Sequence, residues 1–141
     1  MKVLFICKYN AGRSRMAAAF FNKFSKKNEA FSRGIGQNPK LPASRKGIET
    51  TAAVMKELGI KIPLRLGKGV TKKDVENADK VIVLLDSKQI HILPKYVADS
   101  PKTEYYPIRD SDARTKDFIN QQRENRDIIK QMVLKMVQKL Q

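Results

Sequence analysis

The sequence predicts an α/β fold of three layers, α/β/α, in which helices cover a central four-stranded parallel sheet. Two observations carry this prediction. Short apolar runs that are typical of strands alternate with segments of helical apolar spacing, the order that builds βαβ units. The chain has 141 residues and is 41% hydrophobic, which is enough for one domain to bury its own core. We therefore expect a single domain over residues 1–141.

Four segments are predicted as strands. They are the apolar run Lys2–Ile6, the short segment Ala30–Ser32, the run Lys80–Leu85 and the segment Thr103–Tyr106. The third is the clearest, because its apolar run contains no glycine or proline that would break a buried strand. The first matters most for function, since a polar loop follows it directly.

The helices are predicted from apolar periodicity between these strands. The first begins near Met16, and the second runs from about Ala43 to Gly59, a good C-terminal cap residue. A glycine- and proline-rich surface loop over 34–42 precedes the second helix. Thr71 can cap a short third helix. The last helix is the longest, and its apolar stripe should pack in the core: Phe118, Ile129, Met132, Val133, Met136, Val137 and Leu140.

The segment CKYNAGRS at residues 7–14 joins the first strand to the first helix. A loop that closes onto a helix N-terminus directs several backbone N–H groups at one point, and the helix dipole adds positive charge there. The C-x5-R spacing lets the guanidinium of Arg13 fold back and bind two oxygens of a tetrahedral anion. The same field favours the thiolate form of Cys7, which is the nucleophilic form.

The remaining loop residues agree with an oxyanion cradle. A lone cysteine at the end of a buried strand is often only a small hydrophobe. Here, however, Gly12 allows the backbone to curl, and the Ser14 hydroxyl can donate to a thiolate. We predict catalytic roles for Cys7 and Arg13. The predicted phosphate-binding residues are Lys8, Tyr9, Asn10, Ala11, Gly12, Arg13 and Ser14.

The segment CKYNAGRSRMAAAF resembles the active-site loop of the low-molecular-weight protein tyrosine phosphatase superfamily, which also contains the thiol-dependent arsenate reductases. Further similarity lies at Ser32–Gly34, in the helix ending at Leu58–Ile60, and at Ala78–Leu84. The resemblance implies hydrolysis of a phosphomonoester through a phosphocysteine on Cys7. It implies a phosphotyrosine-containing protein or a small aryl phosphate as substrate, and binding of phosphate, sulfate or arsenate.

The resemblance also implies a general acid, which the family carries in an Asp-Pro pair before the C-terminal helix. The segment PIRDSD at residues 107–112 occupies that place. Asp110 aligns best with the family's aspartate, but Ser111 replaces the proline and Asp112 offers a second carboxyl. Because proline fixes the backbone angle, its absence predicts a more mobile acid loop. Asp110 is therefore the expected general acid, and Asp112 is the alternative.

The residues after this acid lack the tyrosines that many family phosphatases use to contact a substrate ring. Residues 113–115 read ART. Tyr9 in the loop could supply a replacement aromatic face, and Tyr105 or Tyr106 could approach from the last strand.

Arsenate reduction is the alternative function, because residues 10–14 with Met16 and Ala17 also resemble arsenate reductase loops. Thioredoxin-coupled members relay a disulfide through two further cysteines, whereas this chain contains Cys7 alone. Reduction would therefore need an external small thiol that attacks an arsenate adduct of Cys7. We rank the phosphatase first for this reason.

Composition limits the remaining function classes. The net charge of +15 would suit nucleic-acid binding, but the basic residues are scattered and no nucleic-acid motif accompanies them. A positive field would equally attract anionic substrates. One cysteine and one histidine cannot form a Cys/His zinc cluster, and no cofactor or metal is expected. No apolar run approaches the ~20 residues of a membrane span, so we expect a cytoplasmic protein without a membrane partner.

Overall fold

The computed structural model describes residues 1–36 and 45–140. Within these ranges it contains one four-stranded sheet with the order β2-β1-β3-β4, and all three strand pairs are parallel. The predicted four-stranded parallel sheet is therefore confirmed. The strands are β1 (Lys2–Cys7), β2 (Glu29–Gly34), β3 (Lys80–Val83) and β4 (Thr103–Tyr105).

Five α-helices accompany the sheet in the described ranges. The first begins at Arg13 rather than near Met16, because its opening turn is polar and apolar spacing starts only at its second turn. Residues 37–44, which contain most of the predicted surface loop and the predicted start of the second helix, lie outside the described residues. The helices are α1 (Arg13–Phe24), α2 (Arg45–Lys56), α3 (Lys72–Asn77), α4 (Lys95–Ala98) and α5 (Phe118–Leu140).

Strand β1 sends alternate side chains into two separate cores, as the two-residue period of a strand requires. Val3 and Phe5 pack with residues of α1, α2 and α5 on one face of the sheet. Leu4 and Ile6 pack with residues of α3 and α4 on the other face. The layers are therefore α/β/α, and the predicted three-layer architecture is confirmed.

The topology determines where a site can form. The C-terminal ends of parallel strands meet at one edge of a sheet, where ligands bind in open α/β folds. Here the central strand β1 ends at Cys7, and its neighbour β3 ends at Val83. The loops after β1, β3 and β4 therefore lie side by side. None of the helices in residues 1–36 and 45–140 is long and apolar enough to cross a membrane.

Candidate active site

A cavity of about 410 Å³ opens at this edge of the sheet. Residues from the loop after β1 form its floor, and residues from the segment before α5 form its wall, with Gly47 from α2. The cavity brings together Cys7, Arg13, Asp110 and Asp112, although they come from distant parts of the sequence. The lining residues are Cys7, Lys8, Tyr9, Ala11, Gly12, Arg13, Gly47, Asp110, Ser111, Asp112, Ala113, Arg114, Phe118 and Gln122.

The backbone N–H groups of residues 8–15 make no hydrogen bond within the described part of the chain. The bond from the Met16 N–H to the carbonyl oxygen of Gly12 is the first of this run, and it marks the start of α1. The first N–H groups of a helix have no partner inside the helix. A loop with this many unused donors beside a helix N-terminus is suited to bind an anion.

The sulfur of Cys7 lies at the floor of the cavity with a hydroxyl beside it. Cys7 is 2% exposed, and its Sγ lies 3.0 Å from the Oγ of Ser14. A thiolate has no proton to give, so in that state the serine O–H must be the donor. Asn10 Nδ2 donates to the same hydroxyl oxygen at 2.8 Å, which orients Ser14 for this role.

Asn10 holds the loop in shape from behind. Its φ is 55°, in the left-handed region where asparagine is tolerated better than most residues. Its buried amide donates to the hydroxyls of Ser14 and Ser32 and accepts from the backbone N–H of Lys68. Asn10 and Ser14, which are among the predicted phosphate-binding residues, do not line the cavity, and their side chains hydrogen-bond to each other behind the loop.

Two glycines allow other segments to approach the loop closely. A Cβ on Gly34, at the end of β2, would lie 2.8 Å from the backbone nitrogen of Asn10 and 2.9 Å from the carbonyl oxygen of Lys8. A Cβ on Gly67 would overlap the carbonyl oxygen of Tyr9. The backbone cannot move away cheaply at such distances, so the loop depends on glycine at both positions.

Arg13 is 4% exposed, and other residues contact the two terminal nitrogens of its guanidinium. Its Nη1 lies 3.3 Å from the carbonyl oxygen of Leu84 and 3.0 Å from that of Ile108. Its Nη2 lies 3.3 Å from the Oδ1 of Asp110. Its Nε has no hydrogen-bond partner in residues 1–36 and 45–140, so this side of the guanidinium remains available to a ligand in the cavity.

The two candidate acids differ in their surroundings. Asp112 is held in a two-point ion pair by Arg114, with Nε–Oδ1 and Nη2–Oδ2 distances of 3.0 Å. Hydrogen bonds from the Arg114 side chain and backbone lower the pKa of Asp112. Asp112 therefore favours the ionised form, and both of its carboxylate oxygens are paired with Arg114. Asp110 lies beside Arg13, and its side chain is 38% exposed. Of the two carboxylates, Asp110 is thus the one without a two-point ion pair.

The acid loop is anchored from α5 despite its lack of proline. Asn125 Nδ2 donates to the carbonyl oxygen of Arg109 at 2.7 Å and to the hydroxyl of Ser111 at 3.0 Å. The backbone N–H of Asp112 donates to Gln121 Oε1 at 3.1 Å. The prediction of a looser loop considered only the backbone angle, and these side-chain contacts act in the opposite direction.

Of the four tyrosines, only Tyr9 lines the cavity. It is 53% exposed, and the ammonium group of Lys8 lies 4.8 Å from its ring centroid. Tyr105 does not reach the cavity, and Tyr106 lines a different one, beside α5. Within the described residues, no group of three or more His, Cys, Asp or Glu side chains is arranged to hold a metal ion.

Sequence reasoning missed three polar residues that support the site: Gln89, Gln122 and Asn125. Gln122 Nε2 donates to Thr51 Oγ1 at 2.8 Å, and both atoms would contact a Cβ on Gly12. Gln122 and Asn125 are buried. They share helical spacing with the apolar residue Ile129, and amides on such a stripe are a signal that could have identified them. Gln89 lies on a loop, where no periodicity marks it.

Comparison with known families shows to which family the chain belongs. The sequence profile described as low molecular weight phosphotyrosine protein phosphatase matches residues 2–140. The chain belongs to this family. The recognition made from the loop sequence is therefore confirmed. No curated protein sequence is significantly similar to the chain.

Solved structures of family members with different activities superpose on the chain. A low molecular weight protein tyrosine phosphatase from T. tengcongensis is 25% identical, with a TM-score of 0.78 over 99% of each chain. An arsenate reductase in the phosphate binding state is 26% identical, with a TM-score of 0.77 over 99% of this chain and 98% of that one. The YwlE arginine phosphatase from Geobacillus stearothermophilus is 22% identical, with a TM-score of 0.74 over 99% and 92%. This last similarity supports the fold alone.

Proposed function

We propose that this protein is a phosphomonoester hydrolase of the protein tyrosine phosphatase type that acts through a phosphocysteine on Cys7. One observation carries the proposal. A single cavity is lined by Cys7, by the buried Arg13 and by Asp110, and the backbone N–H groups of the loop that follows Cys7 are unused. A nucleophile, an oxyanion site and a proton donor are the three groups that phosphoryl transfer to sulfur requires.

The first step forms the sulfur–phosphorus bond. The substrate's three non-bridging oxygens sit against the N–H groups of the loop and the Nε and Nη2 of Arg13, which neutralise the charge that grows in the transition state. The thiolate of Cys7, stabilised by the Ser14 hydroxyl, attacks phosphorus opposite the leaving oxygen. The bond from phosphorus to that oxygen breaks, and Asp110 gives its proton to the departing alcohol.

The second step regenerates the enzyme. Asp110, now ionised, takes a proton from a water molecule as the water oxygen attacks phosphorus. The sulfur–phosphorus bond breaks, its electron pair returns to Cys7, and inorganic phosphate leaves. One carboxyl therefore serves as acid and then as base, which fits a cavity in which Asp112 is occupied by Arg114.

The lining of the cavity supports an aryl substrate. The aromatic residues Tyr9 and Phe118 line the same cavity as Cys7, so a substrate ring could pack against them while its phosphate contacts the sulfur. A phosphotyrosine-containing protein or a small aryl phosphate is the proposed substrate, and phosphate, sulfate and arsenate are expected to bind as oxyanions.

Arsenate reduction is the second candidate, favoured by the 26% identity to an arsenate reductase in a phosphate-bound state. Arsenate would occupy the same cradle and form an adduct with Cys7. The chain contains a single cysteine, so a disulfide relay within this chain is not available. The two electrons that reduce arsenate would come from two external thiols, which would leave as a disulfide.

The two activities are separated by assaying the same preparation side by side. One assay follows p-nitrophenyl phosphate hydrolysis, and the other follows arsenate reduction with glutathione as thiol donor. We expect the first to exceed the second. Turnover of arsenate without aryl phosphate hydrolysis would reverse the ranking.

The Cys7→Ser variant tests the covalent step. We expect it to lose hydrolysis while still binding inorganic phosphate, because the N–H groups and Arg13 remain. Retained turnover would contradict a covalent intermediate on Cys7.

A further inference from the structure

Gln89 contacts both charged groups of the proposed site through one amide. Its Oε1 lies 3.1 Å from Nη1 of Arg13, and its Nε2 lies 2.8 Å from Oδ2 of Asp110. Gln89 does not line the cavity, so it would act through its neighbours rather than on the substrate. We infer that Gln89 is a positioning residue that fixes Arg13 and Asp110 relative to each other, an inference that rests on the proposed function.

The chemistry of its partners leaves the amide one orientation. The guanidinium of Arg13 can only donate, and so can the backbone N–H of Asp86, which lies 3.2 Å from the same Oε1. An ionised Asp110 can only accept, and an Asp110 that carries its proton on Oδ1 still accepts through Oδ2. Turning the amide over would place donors against donors and an oxygen against a carboxylate. Three hydrogen bonds therefore fix the orientation of the Gln89 amide. The fixed amide in turn holds Arg13 and Asp110 in place relative to each other.

This lock matters because Arg13 has two tasks that compete. Its Nη2 lies 3.3 Å from Oδ1 of Asp110, and the same nitrogen is available to a bound oxyanion. When an oxyanion binds, Arg13 turns part of its hydrogen bonding toward it, and the contact with Asp110 weakens. The Gln89 amide does not compete for the oxyanion. It therefore keeps Asp110 at the cavity wall after the arginine contact has been exchanged.

The three hydrogen bonds of the Gln89 side chain do not depend on core packing. Gln89 is half-buried and precedes a 3-10 turn at Ile90–Ile92. Its side-chain hydrogen bonds in the described residues go to Arg13, Asp86 and Asp110 only. Substitutions of similar size can therefore remove the contacts without opening a cavity in either hydrophobic core.

Two variants separate the two halves of the lock. Gln89→Glu keeps the side-chain length and an oxygen for Arg13, but it cannot donate to an ionised Asp110. Gln89→Met keeps the length and removes both contacts. Gln131→Glu is the matched control, because it adds the same charge on an exposed part of α5 that lines a different cavity.

The decisive measurement is the dependence of kcat/KM on the leaving group. p-Nitrophenolate leaves readily without a proton, whereas phenolate relies more strongly on the general acid. We expect Gln89→Glu to lose about tenfold more kcat/KM on phenyl phosphate than on p-nitrophenyl phosphate, with inorganic phosphate binding within about twofold of wild type. We expect Gln89→Met to show the same leaving-group effect and also to bind inorganic phosphate several-fold more weakly.

The outcomes keep this inference distinct from the proposed function. Equal losses on both aryl phosphates, or values matching those of Gln131→Glu, would overturn the role of Gln89. If the wild-type protein hydrolyses neither substrate, the proposed function fails. The Arg13 half of the inference is then judged by phosphate titration alone, where unchanged affinity in Gln89→Met would overturn it. Equal thermal unfolding midpoints for the variants and wild type show that a loss does not come from misfolding.

Discussion

The side-chain amide of Asn125 donates a 3.0 Å hydrogen bond to the hydroxyl of Ser111. The same Nδ2 donates to the carbonyl oxygen of Arg109 at 2.7 Å, so helix α5 holds the residues on both sides of Asp110. Asn125 is 2% exposed, and water therefore has little access to compete for these bonds. Asn125 on α5 therefore restrains the segment around Asp110. In many family members a proline next to the aspartate would stiffen this segment.

Replacing Asn125 with Leu should lower both stability and turnover. The substitution keeps the branched shape and the number of side-chain heavy atoms but removes the donor to the carbonyl of Arg109, which costs about 0.5–1.5 kcal/mol in the free energy of unfolding. It also frees Asp110 to leave the cavity wall. We expect kcat on phenyl phosphate to fall about tenfold, as measured by initial rates and urea unfolding. Asn120→Leu, on an exposed part of the same helix, is the control, and equal kcat in the two variants would contradict the restraint.

The two carboxyls of the acid loop should respond very differently to removal of their charge. Asp110→Asn is expected to slow turnover of phenyl phosphate by roughly 10²- to 10⁴-fold, because it removes the proposed proton donor. The turnover of Asp112→Asn should stay within about threefold of wild type, since the Asp112 carboxylate forms an ion pair with Arg114 and has no part in the proposed reaction. Steady-state kinetics at neutral pH decide the matter. The opposite pattern would move the general acid by two residues.

Gly34 should tolerate no side chain, whereas Gly36 should tolerate one. A Cβ on Gly34 would lie 2.8 Å from two backbone atoms of the loop, while a Cβ on Gly36 would lie 3.6 Å from its nearest neighbour, an ordinary contact. We expect Gly34→Ala to distort the cradle, weakening phosphate binding and lowering the thermal midpoint. Gly36→Ala should keep both near wild type. Phosphate titration and thermal unfolding test the pair, and similar behaviour of the two variants would refute the close-approach argument.

Glu57 should make stability depend on pH in the acid range. Hydrogen bonds from Arg123 and Arg126 on α5 lower its pKa from 4.5 to about 2. A depressed carboxyl pKa stabilises the folded state fully above the unfolded value, and that contribution is lost as the pH falls through the folded value. Between pH 4.5 and 2, Glu57→Gln should therefore show a flatter decline in the free energy of unfolding than wild type. Urea unfolding at several pH values measures this, and parallel curves would contradict the coupling.

Sequence patterns predicted the strands and the loop at residues 7–14, because these features depend mainly on residues that are close together in the sequence. Continuous apolar runs predicted β1 and β3, the two central strands, because a buried strand needs little more than continuous hydrophobic side chains. The two edge strands were predicted from short segments that alternate with helices along the sequence. The order of Cys7, Gly12 and Arg13 predicted the loop, because a loop between a strand and a helix has few geometries. The strands and the loop both depend on residues that are near one another in the sequence, and the spacing of residue types reveals such relationships.

The supporting contacts could not be predicted in the same way. Gln89 reaches Asp110 across 21 positions, and Asn10 reaches Lys68 across 58. Such pairs depend on how loops meet after the sheet has formed, and no periodicity encodes them. Asn10 is among the predicted phosphate-binding residues, but the spacing of the loop does not reveal that its buried side-chain amide hydrogen-bonds to groups behind the loop.

Arg13 hydrogen-bonds to carbonyl groups that lie 71 and 95 positions further along the polypeptide. During synthesis, Cys7 and Arg13 therefore leave the ribosome well before these two partners. A chain that ends before Ile108 would carry the thiol of Cys7 without all of the contacts that hold Arg13, and we expect such a fragment to lack the proposed activity.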